Sequence, residues 1–260
     1  MDALSPFRFA ARLRGRDPLL GTVLTLPGVA LAELLAEPFD FVWIDLEHGA
    51  LDAGHVQPLA VAARAAGCGA LVRLPDADCP PAILDAGVDG VVVPRVQSAA
   101  QAGRLAERLL HPPRGARGFA ARRASGYGRA HGAFEVQDPV FVAQIESAAG
   151  VEAADQIAAV AGVDALVVGC ADLALALDGT LDPASERLRE AIAHVQDAAE
   201  SAGIASGIAG PDDPGLLREL ADARSTLLVC AADVRIYAGA VDELAERLRA
   251  PASEDLRVGA

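Results

Sequence analysis

The stretch FDFVWIDLEHG, residues 39–49, is an apolar run that ends in two acids and a histidine. Its apolar residues do not alternate with polar ones, which is typical of a parallel strand buried on both faces. Seven other short runs rich in Val, Ile and Leu share this character. The eight predicted strands are Leu20–Leu26, Phe39–Asp45, Ala70–Leu74, Gly90–Pro94, Val140–Ile145, Ala165–Gly169, Ile204–Ile208 and Thr226–Cys230.

The segments between the runs are amphipathic and of helical length. The predicted helices are Val29–Ala36, Ala53–Ala66, Ala99–Leu110, Gly150–Val160, Ala184–Ala202, Pro214–Ala221 and Ala238–Arg249. Eight β/α repeats in 260 residues favour an α/β fold with one closed (β/α)8 TIM barrel over an open doubly wound sheet. We expect the barrel to be a single domain over residues 1–250, followed by a flexible C-terminal tail at 251–260.

Composition limits the chemistry and the partners. The formal net charge of −14 argues against nucleic acid and anionic membranes as partners, because both are negatively charged. The chain contains no lysine, so a lysine Schiff base is excluded as a catalytic intermediate. Four cysteines without a paired motif, no signal peptide and no apolar run of membrane-spanning length predict a cytoplasmic protein.

Two acids follow neighbouring predicted strands. Glu146 comes after the fifth strand and Asp172 after the sixth, at the barrel end where catalytic residues lie. Two adjacent carboxylates repel each other unless a proton or a cation lies between them, and oxygen ligands with open positions suit Mg²⁺ or Mn²⁺. The alternative is that each acid only caps the helix that follows it.

Two other charged groups end strands and remain open to more than one interpretation. The segment Asp45-Leu46-Glu47-His48 contains the only strand-end histidine, which could bind a metal, act as a general base or make a structural hydrogen bond. Arg73 ends an apolar strand, and a buried arginine needs an anion. That anion is either a substrate or an internal carboxylate.

Read in order, the strand-end motifs resemble the HpcH/HpaI aldolase family, whose members are metal-dependent class II pyruvate aldolases on a (β/α)8 barrel. The resemblance runs from about residue 20 to residue 240. The segments that carry it are 41–49 (FVWIDLEHG), 72–73 (VR), 83–87 (ILDAG), 92–94 (VVP), 112–118 (PPRGARG), 144–146 (QIE) and 168–173 (VGCADL).

The resemblance implies a role for each matching residue. Glu146 and Asp172 match the ligands of a divalent metal, Mg²⁺ or Mn²⁺, with Co²⁺ or Zn²⁺ as alternatives. Arg73 matches the arginine that binds the 2-oxo acid and stabilises its enolate, and His48 with Asp85 matches a pair linked to proton transfer. The other implied site residues bind substrate (Gln144, Gly169, Cys170, Ala171 and Arg123) or support the metal site (Asp45 and Glu47).

The resemblance also implies an assembly and a reaction. Members are often hexamers built as trimers of dimers, in which the last barrel helix is exchanged between subunits. The implied reaction is reversible aldol cleavage of a 4-hydroxy-2-oxo acid to pyruvate, or a related 2-oxo acid, and an aldehyde, through an enolate stabilised by the metal. The alternatives are citrate-forming condensation of oxaloacetate with acetyl-CoA in a siderophore pathway and a scaffold without catalysis.

The chain departs from the family pattern at several positions. Cys170 replaces a proline or another small residue, Ala174 replaces a serine, and Ala120 replaces a glycine in the long loop 111–138. Ala232 with Asp233 replaces a Ser-Asp pair, and Arg122 adds charge next to Arg123. We expect all of these except the Ser-Asp change to surround the substrate pockets, so that they affect the partner substrate more than the metal chemistry.

Overall fold

The computed structural model describes residues 7–129 and 138–250. Eight parallel strands close into a barrel in sequence order, with β1 hydrogen-bonded to both β2 and β8. The strands are β1 Leu19–Leu24, β2 Phe41–Asp45, β3 Gly69–Arg73, β4 Gly90–Val93, β5 Val140–Ile145, β6 Ala165–Gly169, β7 Ala205–Ala209 and β8 Leu227–Ala232. The predicted TIM barrel and all eight predicted strands are confirmed, while the predicted flexible tail lies outside the described residues.

Helices cover the outside of the barrel. They are α1 Phe7–Arg14, α2 Val29–Ala36, α3 Ala53–Ala65, α4 Pro81–Asp85, α5 Ala99–Leu109, α6 Ala148–Glu152, α7 Ala154–Ala158, α8 Cys170–Asp178, α9 Glu186–Ala202, α10 Pro214–Ala221 and α11 Asp233–Arg249. A 3-10 helix, Arg123–Gly128, lies in the long connection between β4 and β5. No helix within the described residues is both long and apolar enough to cross a membrane.

Several helical predictions differ from the structure, and neither α1 nor α4 is among the predicted helices. The helix predicted over Gly150–Val160 is divided at Ala153, where the backbone leaves the helical region with φ −96° and ψ 4°. Helix α8, which starts directly after β6, was not predicted because the two apolar segments run together. Helix α11 begins at Asp233, five residues before its predicted start, since its first turn continues from the end of β8.

The core has two parts, one inside the barrel and one between the strands and the outer helices. Phe41 and Trp43 fill the interior from β2, and Phe9 of α1 closes the N-terminal end of the barrel. A Cβ at Gly21 would lie 2.3 Å from the Phe41 ring, so a glycine is required beside this large side chain. The filled interior leaves the opposite end, where the strands finish, as the place for a ligand.

Candidate active site

Arg73 is held by two acids that follow the neighbouring strand. It is the register partner of Asp45, and its Nε and Nη2 donate to the two Asp45 carboxylate oxygens at 2.8 and 2.6 Å. Glu47 lies 3.4 Å from Arg73 Nη1 and 2.8 Å from Arg95 Nη2, so it joins both arginines. The internal ion pair considered for Arg73 is therefore present, although this arginine also lines the cavity described below.

Neighbouring acidic side chains stabilise the positive charge of Arg73. Burial opposes that charge most strongly, but the hydrogen bonds and the charge of Asp45, together with Glu47 and Glu146, raise the pKa of Arg73 above its ordinary value. The guanidinium carbon lies 5.6 Å from the ring centroid of Trp43, within the range of a cation–π contact. The side chain is 13% exposed, which leaves one edge open to a ligand.

Glu146 is a buried carboxylate with one free oxygen. Its Oε2 accepts a hydrogen bond from the backbone N–H of Arg95 at 3.1 Å, whereas Oε1 is buried without a partner among the described residues. Burial first, and then the negative charges of Asp172 and Glu47, raise the pKa of Glu146 to about 7. This is the electrostatic signature of carboxylates gathered where a cation would relieve the repulsion.

Neither Glu146 nor Asp172 caps a helix, so the capping alternative is wrong for both acids. Helix α6 is capped by Ser147, whose hydroxyl accepts from the Gly150 N–H at 3.2 Å. Helix α8 begins at Cys170 with Gly169 as its N-cap, which places Asp172 within the first turn. Both carboxylates therefore remain available to a ligand.

Gly169 allows side chains to converge at the end of β6. A Cβ at this position would lie 2.7 Å from Glu146 Oε1 and 2.8 Å from Gln144 Nε2. The Oε1 atom of Gln144 is also buried without a partner among the described residues. The unpartnered Glu146 oxygen and the Gln144 amide group thus lie beside one glycine, an arrangement that a bound cation or ligand would satisfy.

A cavity of about 440 Å³ opens at this end of the barrel. One side is formed by Arg73, Gln144 and the segment from Gly169 to Asp172, and the other side by the ends of β7, β8 and β1. Five predicted substrate or metal residues, and Arg73 with them, therefore share one cavity. Burial raises the pKa of the Cys170 thiol to about 12, so this side chain is a neutral part of the wall.

The residues present fit a hard divalent cation. Within residues 7–129 and 138–250, no cluster of three or more His, Cys, Asp or Glu side chains is arranged to bind a metal ion. Glu146 and Asp172 would supply two oxygen ligands, and water and substrate would have to supply the rest, as is usual for Mg²⁺. The unpartnered Glu146 Oε1 supports this assignment.

No hydrogen bond or ion pair joins His48 to Asp85 within the described part of the chain. His48 is 64% exposed, and its Nε2 lies 3.9 Å from Glu47 Oε1. Asp85 ends α4 and instead lies 3.5 Å from Arg117 of the long loop. The proton-transfer roles of His48 and Asp85 remain predictions.

Arg123 lies beside α4 and is not part of the described cavity lining. A Cβ at Gly87 would lie 3.2 Å from Arg123 Cγ, and the Arg123 Nε is buried without a partner among the described residues. Arg122, next to it, is exposed. The substrate-binding role of Arg123 remains a prediction.

The positions at which the chain departs from the family pattern do not all lie where we expected them. Cys170 lines the cavity as expected, but Ala174 is buried in the core between the barrel and the helices. Ala232, which was expected to lie outside the substrate pockets, lines the cavity. Arg95 is not among the predicted site residues, although its position two residues after β4 is a usable signal. Its backbone adopts φ 52°, where its N–H donates to Glu146.

A parallel barrel that gathers carboxylates and an arginine around a cavity at the strand ends defines an enzyme that acts on a small, oxygen-rich molecule. Residues 29–238 match the HpcH/HpaI aldolase/citrate lyase family, and the chain belongs to that family. It is therefore an enzyme of the aldolase/lyase class, which confirms the resemblance described above.

Relatives with assigned names are similar over most of the chain. A hydroxypyruvate/pyruvate aldolase of Paraburkholderia phytofirmans is 37% identical over 236 residues, which are 86% of this chain and 90% of the relative. A 4-hydroxy-2-oxovalerate aldolase of Novosphingobium aromaticivorans is 36% identical over 209 residues, which are 76% and 79% of the two chains. The scaffold alternative has no support from these relatives.

Solved structures share the same barrel. A HpcH/HpaI aldolase/citrate lyase family protein from Burkholderia cenocepacia J2315 superposes with a TM-score of 0.87 at 31% identity, over 93% of this chain and 99% of the other. A citrate synthase superposes with a TM-score of 0.78 at 25% identity, over 92% and 96%. The citrate-forming alternative thus corresponds to a more distant relative than the aldolases do.

Proposed function

We propose that this enzyme is a divalent-metal-dependent aldolase that reversibly cleaves a 4-hydroxy-2-oxo acid to pyruvate and an aldehyde. The observation that carries the proposal is the buried, unpartnered oxygen of Glu146 near Asp172, in a site that also holds Arg73. The named aldolase relatives support the choice of a 2-oxo acid as the donor.

The metal would be held by Glu146 and Asp172, and Mg²⁺ or Mn²⁺ suits these oxygen ligands. When bound, a divalent ion acts as a Lewis acid that polarises a carbonyl oxygen and offsets the negative charge that develops during proton loss. The absence of lysine from the chain supports this assignment, because the imine route to the same enolate is closed.

Arg73 binds and orients the 2-oxo acid. Asp45 fixes the guanidinium through two hydrogen bonds, so the exposed edge is held ready to donate to the substrate oxygens. The first turn of α8 adds backbone N–H groups at Cys170 and Ala171, which have no partner within the helix. These donors and the positive end of the helix dipole suit the substrate carboxylate.

A proton must leave the methyl carbon of pyruvate in the synthetic direction and return to it in cleavage. We assign this transfer to His48, whose Nε2 lies 3.9 Å from the Glu47 carboxylate. An imidazole can act in turn as a general base and as a general acid. The predicted role of Asp85 beside His48 stays part of the proposal, although Asp85 lies 3.5 Å from Arg117 in the described chain.

We also infer that the enzyme is a homo-oligomer in which α11 packs on a second subunit. Asp233 is the only residue of α11 that is buried in the described chain, whereas large apolar side chains along the helix are exposed. They are Val234, Ile236, Tyr237, Val241, Leu244 and Leu248. The hexamer and the exchange of this helix follow from the family resemblance.

Four cysteines without a disulfide suit a cytoplasmic location.

Deuterium exchange into pyruvate tests the proposed function directly. In D₂O with Mn²⁺, the wild-type protein should exchange the methyl protons of pyruvate without any aldehyde present, as followed by proton NMR. Glu146→Gln and Asp172→Asn should abolish the exchange, whereas Glu152→Gln, an exposed acid on α6, should leave it unchanged. Exchange that is equally fast in the chelator-treated wild type would overturn the metal-dependent proposal.

A further inference from the structure

The two halves of the cavity differ in polarity. Arg73, Gln144 and Asp172 stand on the half formed by β3, β5 and the start of α8. The other half is built from the ends of β7, β8 and β1 and from the loop between α8 and α9. It presents mainly apolar groups, including Val23, Leu181, Pro183, Pro211, Val229 and Cys230. The donor acid occupies the polar half, so its reaction partner faces the apolar half.

The apolar half carries no unpaired cation among the described lining residues. Asp212 is the one acidic residue there among the described lining residues. It accepts a hydrogen bond from Arg235 Nε at 2.9 Å, and Arg235 is 71% exposed on α11 and outside the lining. The positive charge of Arg235 is therefore already engaged by Asp212.

Positive charge within the cavity is limited to one side chain. Arg73 is the only basic residue among the described lining residues, and both Asp45 and Glu47 already contact it. A divalent ion would offset Glu146 and Asp172, and the carboxylate of the donor acid would occupy the free edge of Arg73. A second substrate carboxylate would then face apolar groups and an Asp212 that already holds Arg235, with no unpaired cation among the described lining residues, which is unfavourable in a partly buried site.

We propose that the acceptor subsite of this enzyme takes uncharged aldehydes and discriminates against aldehydes that carry a carboxylate. This inference rests on the proposed aldolase function and specifies the electrophile of the same site. The specificity-determining residues are Asp212, which keeps Arg235 engaged and so unavailable to an anionic acceptor, and Leu181, whose exposed side chain lies at the rim of the apolar half.

The reaction itself is balanced without a further reactant. The pyruvate methyl carbon loses a proton to the base and forms the new bond to the aldehyde carbon. The π electron pair of the aldehyde carbonyl moves to its oxygen, which takes up one proton. No group leaves, and nothing is oxidised or reduced. An uncharged chain on the aldehyde lies along the apolar wall, where its burial is favourable.

The test compares two acceptors of similar length with pyruvate and Mn²⁺, the uncharged pentanal and the anionic succinic semialdehyde. For the wild type, we expect kcat/KM for pentanal to exceed that for succinic semialdehyde by at least about tenfold, given charge repulsion in a partly screened site. A ratio of one or below, with deuterium exchange into pyruvate intact, would overturn this inference alone. Loss of that exchange would overturn the proposed function as well.

Variants test the two specificity residues. Asp212→Asn removes the negative charge and releases Arg235, so the preference for pentanal should fall by about tenfold. Leu181→Arg adds a cation at the rim and should shift the ratio in the same direction. Leu175→Arg, at an exposed position of α8 outside the lining, is the matched control and should keep the wild-type ratio. An unchanged ratio in both Asp212→Asn and Leu181→Arg would contradict the assignment.

Discussion

Replacing Glu146 by glutamine should stabilise the metal-free protein while removing its metal-dependent activity. The pKa of Glu146 rises from an ordinary value of 4.5 to about 7 in the folded chain, because the charged form is buried next to Asp172 and Glu47. The folded state therefore holds this proton more tightly than the unfolded state. Its contribution to stability is complete below pH 4.5 and is lost as the pH rises through 7.

The size of the effect follows from the shift. A shift from 4.5 to about 7, at about 1.4 kcal/mol per pKa unit, corresponds to a cost of about 3 kcal/mol for keeping Glu146 ionised above pH 8. Glutamine has nearly the shape of the protonated acid and carries no charge at any pH. The difference in unfolding free energy between Glu146→Gln and the wild type should thus increase by roughly 2 kcal/mol from pH 5 to pH 8.

Trp43 provides the assay, because it is the only tryptophan in the chain and is 2% exposed inside the barrel. Urea unfolding followed by its fluorescence, in chelator-treated protein at equal concentration, gives the free energy at each pH. Glu152→Gln, an exposed acid, should show no such pH dependence. A Glu146→Gln advantage that is constant with pH, or larger at pH 5 than at pH 8, would refute the electrostatic reasoning. Adding Mn²⁺ should then stabilise the wild type and leave Glu146→Gln almost unchanged.

Three other substitutions give separate outcomes. Arg73→Lys should lower kcat/KM for aldol cleavage by on the order of a hundredfold. The reason is that a lysine ammonium cannot keep both hydrogen bonds to Asp45 and still donate to the substrate. Near wild-type turnover would contradict this role. Gly169→Ala places a Cβ 2.7 Å from Glu146 Oε1. It should weaken Mn²⁺ binding, measured by calorimetry, and leave the far-UV circular dichroism spectrum unchanged. An unchanged Mn²⁺ affinity would argue against a metal at Glu146. Asp233→Ala removes the acceptor of hydrogen bonds from the Thr25 hydroxyl and from the backbone N–H groups of Thr25 and Leu26. Urea unfolding should therefore show a decrease of about 2–4 kcal/mol in the free energy of unfolding. A decrease below about 0.5 kcal/mol would contradict this role of Asp233.

Local pattern was sufficient to predict the barrel. The strands have continuous apolar runs because helices cover their outer faces and the barrel interior covers their inner faces, and each run is visible in the sequence by itself. Gly67 and Gly203, which follow α3 and α9, adopt positive φ, as glycines at helix C-termini commonly do. Helix α1 was missed because its two core residues, Phe9 and Leu13, lie in a segment that is otherwise charged, and only the barrel interior explains their burial.

Part of the site was also predictable from position. Residues at the carboxyl ends of parallel strands must lie at one end of a barrel. The sequence alone therefore places Glu146, Asp172 and Arg73 in one group. Whether an acid caps a helix depends on dihedral angles at a single residue, and Ser147 and Gly169 hold those positions instead. That detail could not be inferred from strand order.

The sequence by itself determined the barrel, the set of groups at its mouth and the absence of an imine route, because these depend on residue type and on order along the chain. Only the tertiary structure decided which groups touch. It paired Arg73 with Asp45 across two strands, placed Asp85 against Arg117, directed the Arg95 N–H to Glu146 and left one Glu146 oxygen unpartnered among the described residues. The physical reason is that hydrogen bonds, ion pairs and shifted pKa values depend on distances of a few ångströms between residues far apart in sequence, and those distances are set by packing.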